Sequence, residues 1–274
     1  MTAADGQAAD AAVEGGGRQA SGAAESDGAQ ATVTVLGTSG SYPGPRSACS
    51  GYLLRAHGFC LWLDAGPGTM ANLQTHIDVA DVDAVVLSHE HPDHWSDLDG
   101  FYIACRYIKP RSRVPIYAPA GLQAMLRSQV DTDETFVWHD ITDKTSVTVG
   151  PFDLTFSRTD HPPETLAVRA DVSVGGGRRA FGYTADSGPG WTVGSLGSGF
   201  DLVISEATFL QDREGTSPHI SGRQAGAFAR QAGVRRLLVS HIWPIVSPAE
   251  VAAEASEAFG APVACAQVNT TYEL

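Results

Sequence analysis

Five short β-rich runs in this chain end abruptly in a histidine or a carboxylate. They are "DAVVL" before Ser88-His89, "LTFSRTD" before His161, "FGYTA" before Asp186, "LVIS" before Glu206 and "RRLLVS" before His241. Runs of this length and composition read as buried strands, and the loops at strand ends are where sites are built. Further strands are expected at "ATVTVL", "GYLLRA", "FCLWLDAG", "VPIYAP", "SVTVG", "TLAVRADVSV" and "PVACAQ". Helical patterns lie between them, near 69–77, 97–107, 120–130, 221–232 and 248–259. Strands alternating with helices, around a hairpin-rich middle, imply a layered α/β fold. Two helix starts carry capping signals: Ser221-Gly-Arg-Gln224, and Ser247-Pro-Ala-Glu250 with proline in the first turn. "DAVVLSH" and "RRLLVSH" echo one another, either by coincidence or from a two-fold architecture that brings the two strand ends together.

Residues 1–30 are almost entirely alanine, glycine, serine and acidic or amide residues, with Val13 the lone branched aliphatic. Such a segment buries too little to offset its ordering entropy and reads as a disordered tail. It has neither the basic nor the apolar region of a secretory signal, and no stretch of the chain approaches the roughly 18 apolar residues of a membrane span. Cys49, Cys60, Cys105 and Cys265 are scattered without a C-x-x-C pair, as in a reduced, cytoplasmic protein. The net charge of −13 argues against gripping nucleic acid through the surface. A phosphoester remains open to an acidic protein when metal ions supply the positive charge.

The stretch "SHEHPDH" places three of the nine histidines and an aspartate in six positions directly after an apolar run. A lone histidine at a strand end is usually a loop residue; His-x-His-x-Asp-His is hard to explain by packing. His89 and His91, two apart on an extended segment, project to one side. Asp93 and His94, past Pro92, point differently and suit a neighbouring ion. Imidazole and carboxylate are ligands for zinc, and also for manganese or iron. One loop cannot close two sites, so His161, Asp186 and His241 complete a binuclear set. Glu206, taken alone, reads as a salt bridge or cap, and His219 as a loop histidine. Together they fit a carboxylate orienting a general acid. Asp64 is a candidate acceptor for a ligand histidine's second N–H. Tyr42, Arg46 and Arg106 are candidate substrate contacts, while His57, His76 and His139 read as surface or loop residues.

With "SHEHPDH", His161, the "YTADSG" of Asp186 and the "LLVSHI" of His241 in view, the chain resembles the metallo-β-lactamase superfamily over about residues 31–270. "EATF" and "HISGRQAGAFARQAGVRRLLVSHI" resemble its ribonuclease Z-like branch. "VLGTSGS", "SGYLLRA", "CRYIKP" and "AGVRRLL" look most like the atypical cyclic-nucleotide phosphodiesterases of actinobacteria. The resemblance implies a four-layer αββα sandwich, as a single hydrolase domain over 31–274. It implies one ion held by His89, His91 and His161, a second by Asp93, His94 and His241, and Asp186 bridging. His219, paired with Glu206, would then protonate the leaving oxygen. Relatives of this kind are often homodimers.

The expected function is therefore two-metal hydrolysis of a small phosphodiester, foremost a 3′,5′-cyclic nucleotide. A competing expectation is tRNA 3′ processing. Against it, His161 and Asp186 lie only 25 positions apart, leaving no room for the tRNA-gripping arm of those enzymes, and Ile242-Trp243-Pro244 follows the final histidine where they carry a Ser-Arg-Tyr type sequence. Lactone or thioester hydrolysis is also compatible with such a donor set, and so is a non-catalytic metal-bound interaction module.

Overall fold

The structure, a computed structural model, describes residues 30–127 and 134–274. The expected tail lies outside the described residues except for Gln30, as does the end of the helix expected over 120–130. Strands β1 (Ala31–Gly37), β2 (Gly51–Ala56), β3 (Phe59–Ala65), β4 (Ala84–Val86), β5 (Val114–Pro119) and β6 (Phe136–Ile141) lie side by side in one sheet. The second sheet is built from β7 (Ser146–Val149), β8 (Phe152–Arg158), β9 (Leu166–Val174), β10 (Gly177–Tyr183), β11 (Leu202–Glu206), β12 (Leu237–Ser240) and β13 (Ala264–Cys265). The C-terminal β14 (Thr271–Glu273) returns to the first sheet beside β1.

Both faces of the central strands are covered, which is why they read as continuous apolar runs rather than alternating ones. In β3, Leu61 and Leu63 face the opposite sheet, while Cys60 and Trp62 pack beneath helices. In β11, Leu202 and Ile204 point inward and Val203 outward. The first sheet is covered by α1 (Thr69–Leu73), α2 (Pro92–Trp95), α3 (Leu98–Ile103) and α4 (Leu122–Arg127). The second is covered by α5 (Gly222–Gln231) and α6 (Pro248–Phe259). The architecture is the expected αββα sandwich.

Local differences from the sequence reading have local causes. Helix α1 stops at Leu73, since Thr75, His76 and Ile77 are poor helix formers. The stretch read as helix over 97–107 is α3 followed by one π-type turn, Ala104–Ile108. Strand β6 was not anticipated: it is an edge strand whose middle residues are only half-buried or exposed, so its pattern is faint. Three-residue β14 is too short to carry a pattern.

Each sheet runs through three antiparallel pairings and then three parallel ones in the same order. The fold is thus two-fold in its strand order. The Ser-His echo does not follow that symmetry, because β4 corresponds to β11 and β12 to β5. The two Ser-His strand ends nevertheless meet at one rim of the sandwich.

Helix α5 carries the capping box read from sequence. The Ser221 hydroxyl accepts from the Gln224 N–H at 3.1 Å, and the Gln224 side chain accepts from the Ser221 N–H at 3.0 Å. Ser247 caps α6 through the Glu250 N–H, with Pro248 in the first turn. The two helices pack through glycine: a Cβ on Gly226 would sit 2.3 Å from the Ala255 carbonyl oxygen. Gly226→Ala is therefore expected to destabilise the protein by about 1–3 kcal/mol by overpacking, despite alanine's better helix propensity. Chemical denaturation checks this; a more stable variant would show that the helices can separate without cost.

Candidate functional site

The strand ends at this rim bring together every residue that the sequence suggested as a ligand. His89, His91, His161 and Asp186 form one group and Asp93, His94, Asp186 and His241 another. Within each group, one donor atom per residue lies within 4.8 Å of all the others. All but His91 are buried. His89 and His91 follow β4, and Asp93 and His94 ride on α2, which Pro92 starts. His161 follows β8, Asp186 follows β10 and His241 follows β12. Four rim residues have left-handed backbones: Ser41 (φ 64°), Asp64 (φ 55°), Ala185 (φ 49°) and His241 (φ 53°). Non-glycine residues are held there only by strong surrounding constraints, typically at functional sites.

Asp186 joins the two groups. Its Oδ2 lies 3.6 Å from His89 Nε2 and 3.8 Å from His161 Nε2. Its Oδ1 lies 3.2 Å from His94 Nε2 and 3.3 Å from His241 Nε2. Asp93 Oδ2 is 3.3 Å from His241 Nε2 and 3.5 Å from His94 Nε2, and accepts the Ser41 N–H at 2.8 Å. Burial opposes the charge on both carboxylates, but the facing histidines outweigh it and hold both well below the usual carboxylate range. Burial drives His89 toward its neutral form; at His94, Asp186 and Asp64 overcome burial and raise it.

The histidine tautomers follow from the hydrogen bonds behind them. The Ser88 hydroxyl donates to Asp64 at 2.8 Å, so at 3.0 Å it accepts from His89 Nδ1. His94 Nδ1 donates to Asp64 at 2.7 Å, and His161 Nδ1 to the Pro218 carbonyl at 2.8 Å. The Thr208 hydroxyl donates to Glu206 at 2.6 Å and accepts from His241 Nδ1 at 3.0 Å. All four rings are therefore held through Nδ1 and turn Nε2 toward the cluster, which leaves Nε2 as the ligating atom of the neutral ring. His91 instead brings Nδ1 to 3.2 Å from His161 Nε2.

The donor set fits metal ions. His89 Nε2, His94 Nε2 and Asp186 Oδ1 are buried without a hydrogen-bond partner. Among the described residues, the only cationic groups paired with Asp93 and Asp186 are histidines. Ligands of a tetrahedral ion at about 2.0–2.1 Å sit roughly 3.3 Å apart, close to the separations found here.

Beside the cluster, Glu206 is buried, and accepts from the Ser187 N–H, the Thr208 hydroxyl and His219 Nδ1, which lies 3.2 Å from each carboxylate oxygen. The His219 ring is 4.7 Å from that of His161 and 5.4 Å from that of His241. Burial works against its charge, but Glu206 overcomes this and pushes it up to about 9.

Asp64 fills the supporting place expected of it and also accepts from the Tyr183 hydroxyl at 2.8 Å. Ser41, Ser88, Tyr183 and Thr208 were not anticipated; the only signals were the Ser of each Ser-His pair and the Thr of "EATF". Arg106 pairs with Glu134, and His57, His76 and His139 stand outside the cluster. All four cysteines are free, and no helix among the described residues is long and apolar enough to cross a membrane.

Residues 61–242 match the profile of the β-lactamase superfamily domain. An uncharacterized protein of Mycobacterium tuberculosis is 35% identical over 254 residues, 88% of this chain and 92% of that one. The probable metallo-hydrolase YhfI of Bacillus subtilis is 32% identical over 216 residues, 77% of this chain and 86% of that protein. The crystal structure of YhfI aligns with a TM-score of 0.79 at 28% identity, covering 89% of this chain and all of that one. Human tRNase Z, short form, shares the fold, with a TM-score of 0.71 at 21% identity over 88% of this chain and 98% of that one.

Because Thr208 supports His241 and bonds none of His89, His91 and His161, Thr208→Val is expected to weaken one of two metal equivalents selectively, by about 10–100-fold. Metal titration of the chelated protein reads this. Equal weakening of both equivalents would mean that the clusters do not load separately.

Proposed function

The chain belongs to the β-lactamase superfamily, and on that premise we propose that it hydrolyses a small phosphodiester, foremost a 3′,5′-cyclic nucleotide. The observation that carries this reading is the Glu206–His219 pair set against the double cluster. A sugar alkoxide leaves phosphorus poorly unless it is protonated, and a histidine kept charged by a buried carboxylate is suited to supply that proton.

In this reading His89, His91 and His161 hold one divalent ion and Asp93, His94 and His241 the other, with Asp186 shared. Zinc fits the donors, as do manganese and iron. Bound there, two divalent ions would supply positive charge toward the phosphoryl oxygens and would lower the pKa of a water. The chain does the rest. Asp64, Ser88, Thr208 and the Pro218 carbonyl hold the imidazoles in register. Glu206 fixes His219 Nδ1–H, which leaves Nε2–H as the proton for the departing 3′ oxygen. The oxygen of a water bonds to phosphorus and loses a proton to solvent, the bond from phosphorus to the 3′ oxygen breaks as that oxygen takes the His219 proton, and the product is the 5′-monophosphate.

Two features favour a small substrate over tRNA. Between His161 and Asp186 the chain is a plain hairpin, β9 to β10, paired within the sheet on both sides, with no arm projecting from it. The net charge of −13 opposes a long polyanion. Four free thiols agree with a cytoplasmic enzyme.

The metal-loaded protein is expected to convert cyclic AMP to AMP, with activity lost on chelation and in Asp93→Ala. Absence of turnover with two ions bound would shift the reading to a carboxyl ester. His219→Ala is expected to keep both metals and lose about 10²–10⁴ in kcat. His219 works protonated and its pKa is raised, so wild-type kcat falls only as pH rises through that raised value. This alkaline limb should be missing from the His219→Ala profile, and a variant as fast as wild type would remove His219 from the mechanism.

A further inference from the structure

Trp243 stands two residues after His241, where the sequence departs from the tRNA enzymes. Its indole N–H donates to the Ser41 hydroxyl at 3.1 Å, and the Ser41 N–H donates to Asp93 at 2.8 Å, so one residue separates the indole from the cluster. The ring is held firmly. Its backbone N–H bonds the Thr208 carbonyl, Phe209 packs at 5.7 Å between ring centroids, and the Arg213 guanidinium lies 5.5 Å over the ring.

Trp243 also walls a cavity of about 240 Å³ between the loops 38–47 and 242–248. Pro45 and Val246 add apolar wall, and Thr38, Ser39 and Ser47 also line it, their hydroxyls bonded to one another or to the loop backbone. The volume falls below the roughly 300–1,000 Å³ of pockets for drug-sized ligands and suits one flat ring system. The loops are tied together by the Gly40 N–H to the Ile242 carbonyl and by the Ser39–Ile242 bridge, so the cavity is preformed. From His241 to Trp243 the chain spans at most about 7 Å, comparable to the distance from phosphorus to base within a nucleotide.

We propose that this cavity receives the heteroaromatic base of the substrate, stacked on Trp243 while its phosphate lies at the cluster. This rests on the phosphodiesterase reading and names the part of the substrate that the cluster cannot recognise. Recognition is by ring face, so it tolerates different bases.

The test compares cyclic AMP and cyclic GMP with 1,2-cyclic glycerol phosphate, a cyclic diester without a base, using metal-loaded wild type, Trp243→Ala and Val246→Trp. The second variant fills the cavity from the 242–248 loop and alters none of the residues of the Trp243–Ser41–Asp93 link. Wild type should process the two nucleotides with kcat/KM within about tenfold of each other and prefer both to the base-free diester. In both variants the preference for cyclic AMP over the base-free diester should fall about tenfold or more, through KM rather than kcat. If Trp243→Ala depresses both substrates alike, Val246→Trp decides. Parallel losses in both variants, or no loss in either, overturn the base site while the phosphodiesterase reading stands. A wild type that cleaves none of the three removes that reading and the base site with it.

Discussion

Asp186 is a carboxylate removed almost wholly from water, with each oxygen turned to a different pair of histidines. An ionised carboxylate is costly to bury unless positive charge lies close by. No arginine or lysine pairs with it among the described residues, and its histidines are locked from behind through Nδ1 with Nε2 facing inward. That arrangement makes sense only around cations. Much of the rim follows from it: the left-handed backbone at Ala185 and His241, the hydroxyls that set each tautomer, and the close approach of Gly40 to His241, where a Cβ would meet the ring Nδ1 at 2.9 Å.

The sandwich brings these groups within reach by repeating one strand order in two sheets and facing them together. The parts of the centre come from both halves: His89 and His94 from the first sheet, His161, Asp186 and His241 from the second. The buried cross-links do likewise. Tyr183 of the second sheet donates to Asp64 of the first, and Tyr52 of the first bonds Ser240 of the second at 2.8 Å. A hydrogen bond between sheets is long-range in sequence and needs both sheets in place. Packing of the shared core and geometry of the centre are therefore one problem, and a shift of one sheet would unmake both clusters at once.

Charge is divided between surface and site. The chain as a whole is acidic, yet the centre gathers histidines and calls for divalent ions. A long polyanion meets the surface first; a small phosphoester needs only the rim. The proposed base site at Trp243 would fit the same division, since an apolar ring face adds no charge beside the cluster.

The αββα arrangement followed from the family resemblance; what the residues alone determined was a layered α/β class, the cluster of His89, His91, Asp93 and His94, and the partners awaiting it at other strand ends. These are local facts: an apolar run marks a buried strand, and a chemically expensive residue at its end marks a site. The capping box at Ser221 was legible for the same reason. Edge strand β6 was not, because half-exposed residues leave a weak pattern. Thr208, Ser88 and Tyr183 look ordinary in sequence, and only the packed sheets show which atoms their hydroxyls reach. Trp243 was visible as a departure, but its cavity exists only where two loops distant in sequence are tied together. Sequence spacing sets which face a residue takes on its own strand; the contacts between strands from different sheets are set by tertiary packing, and that is where the tautomers, the bridging carboxylate and the cavity were decided.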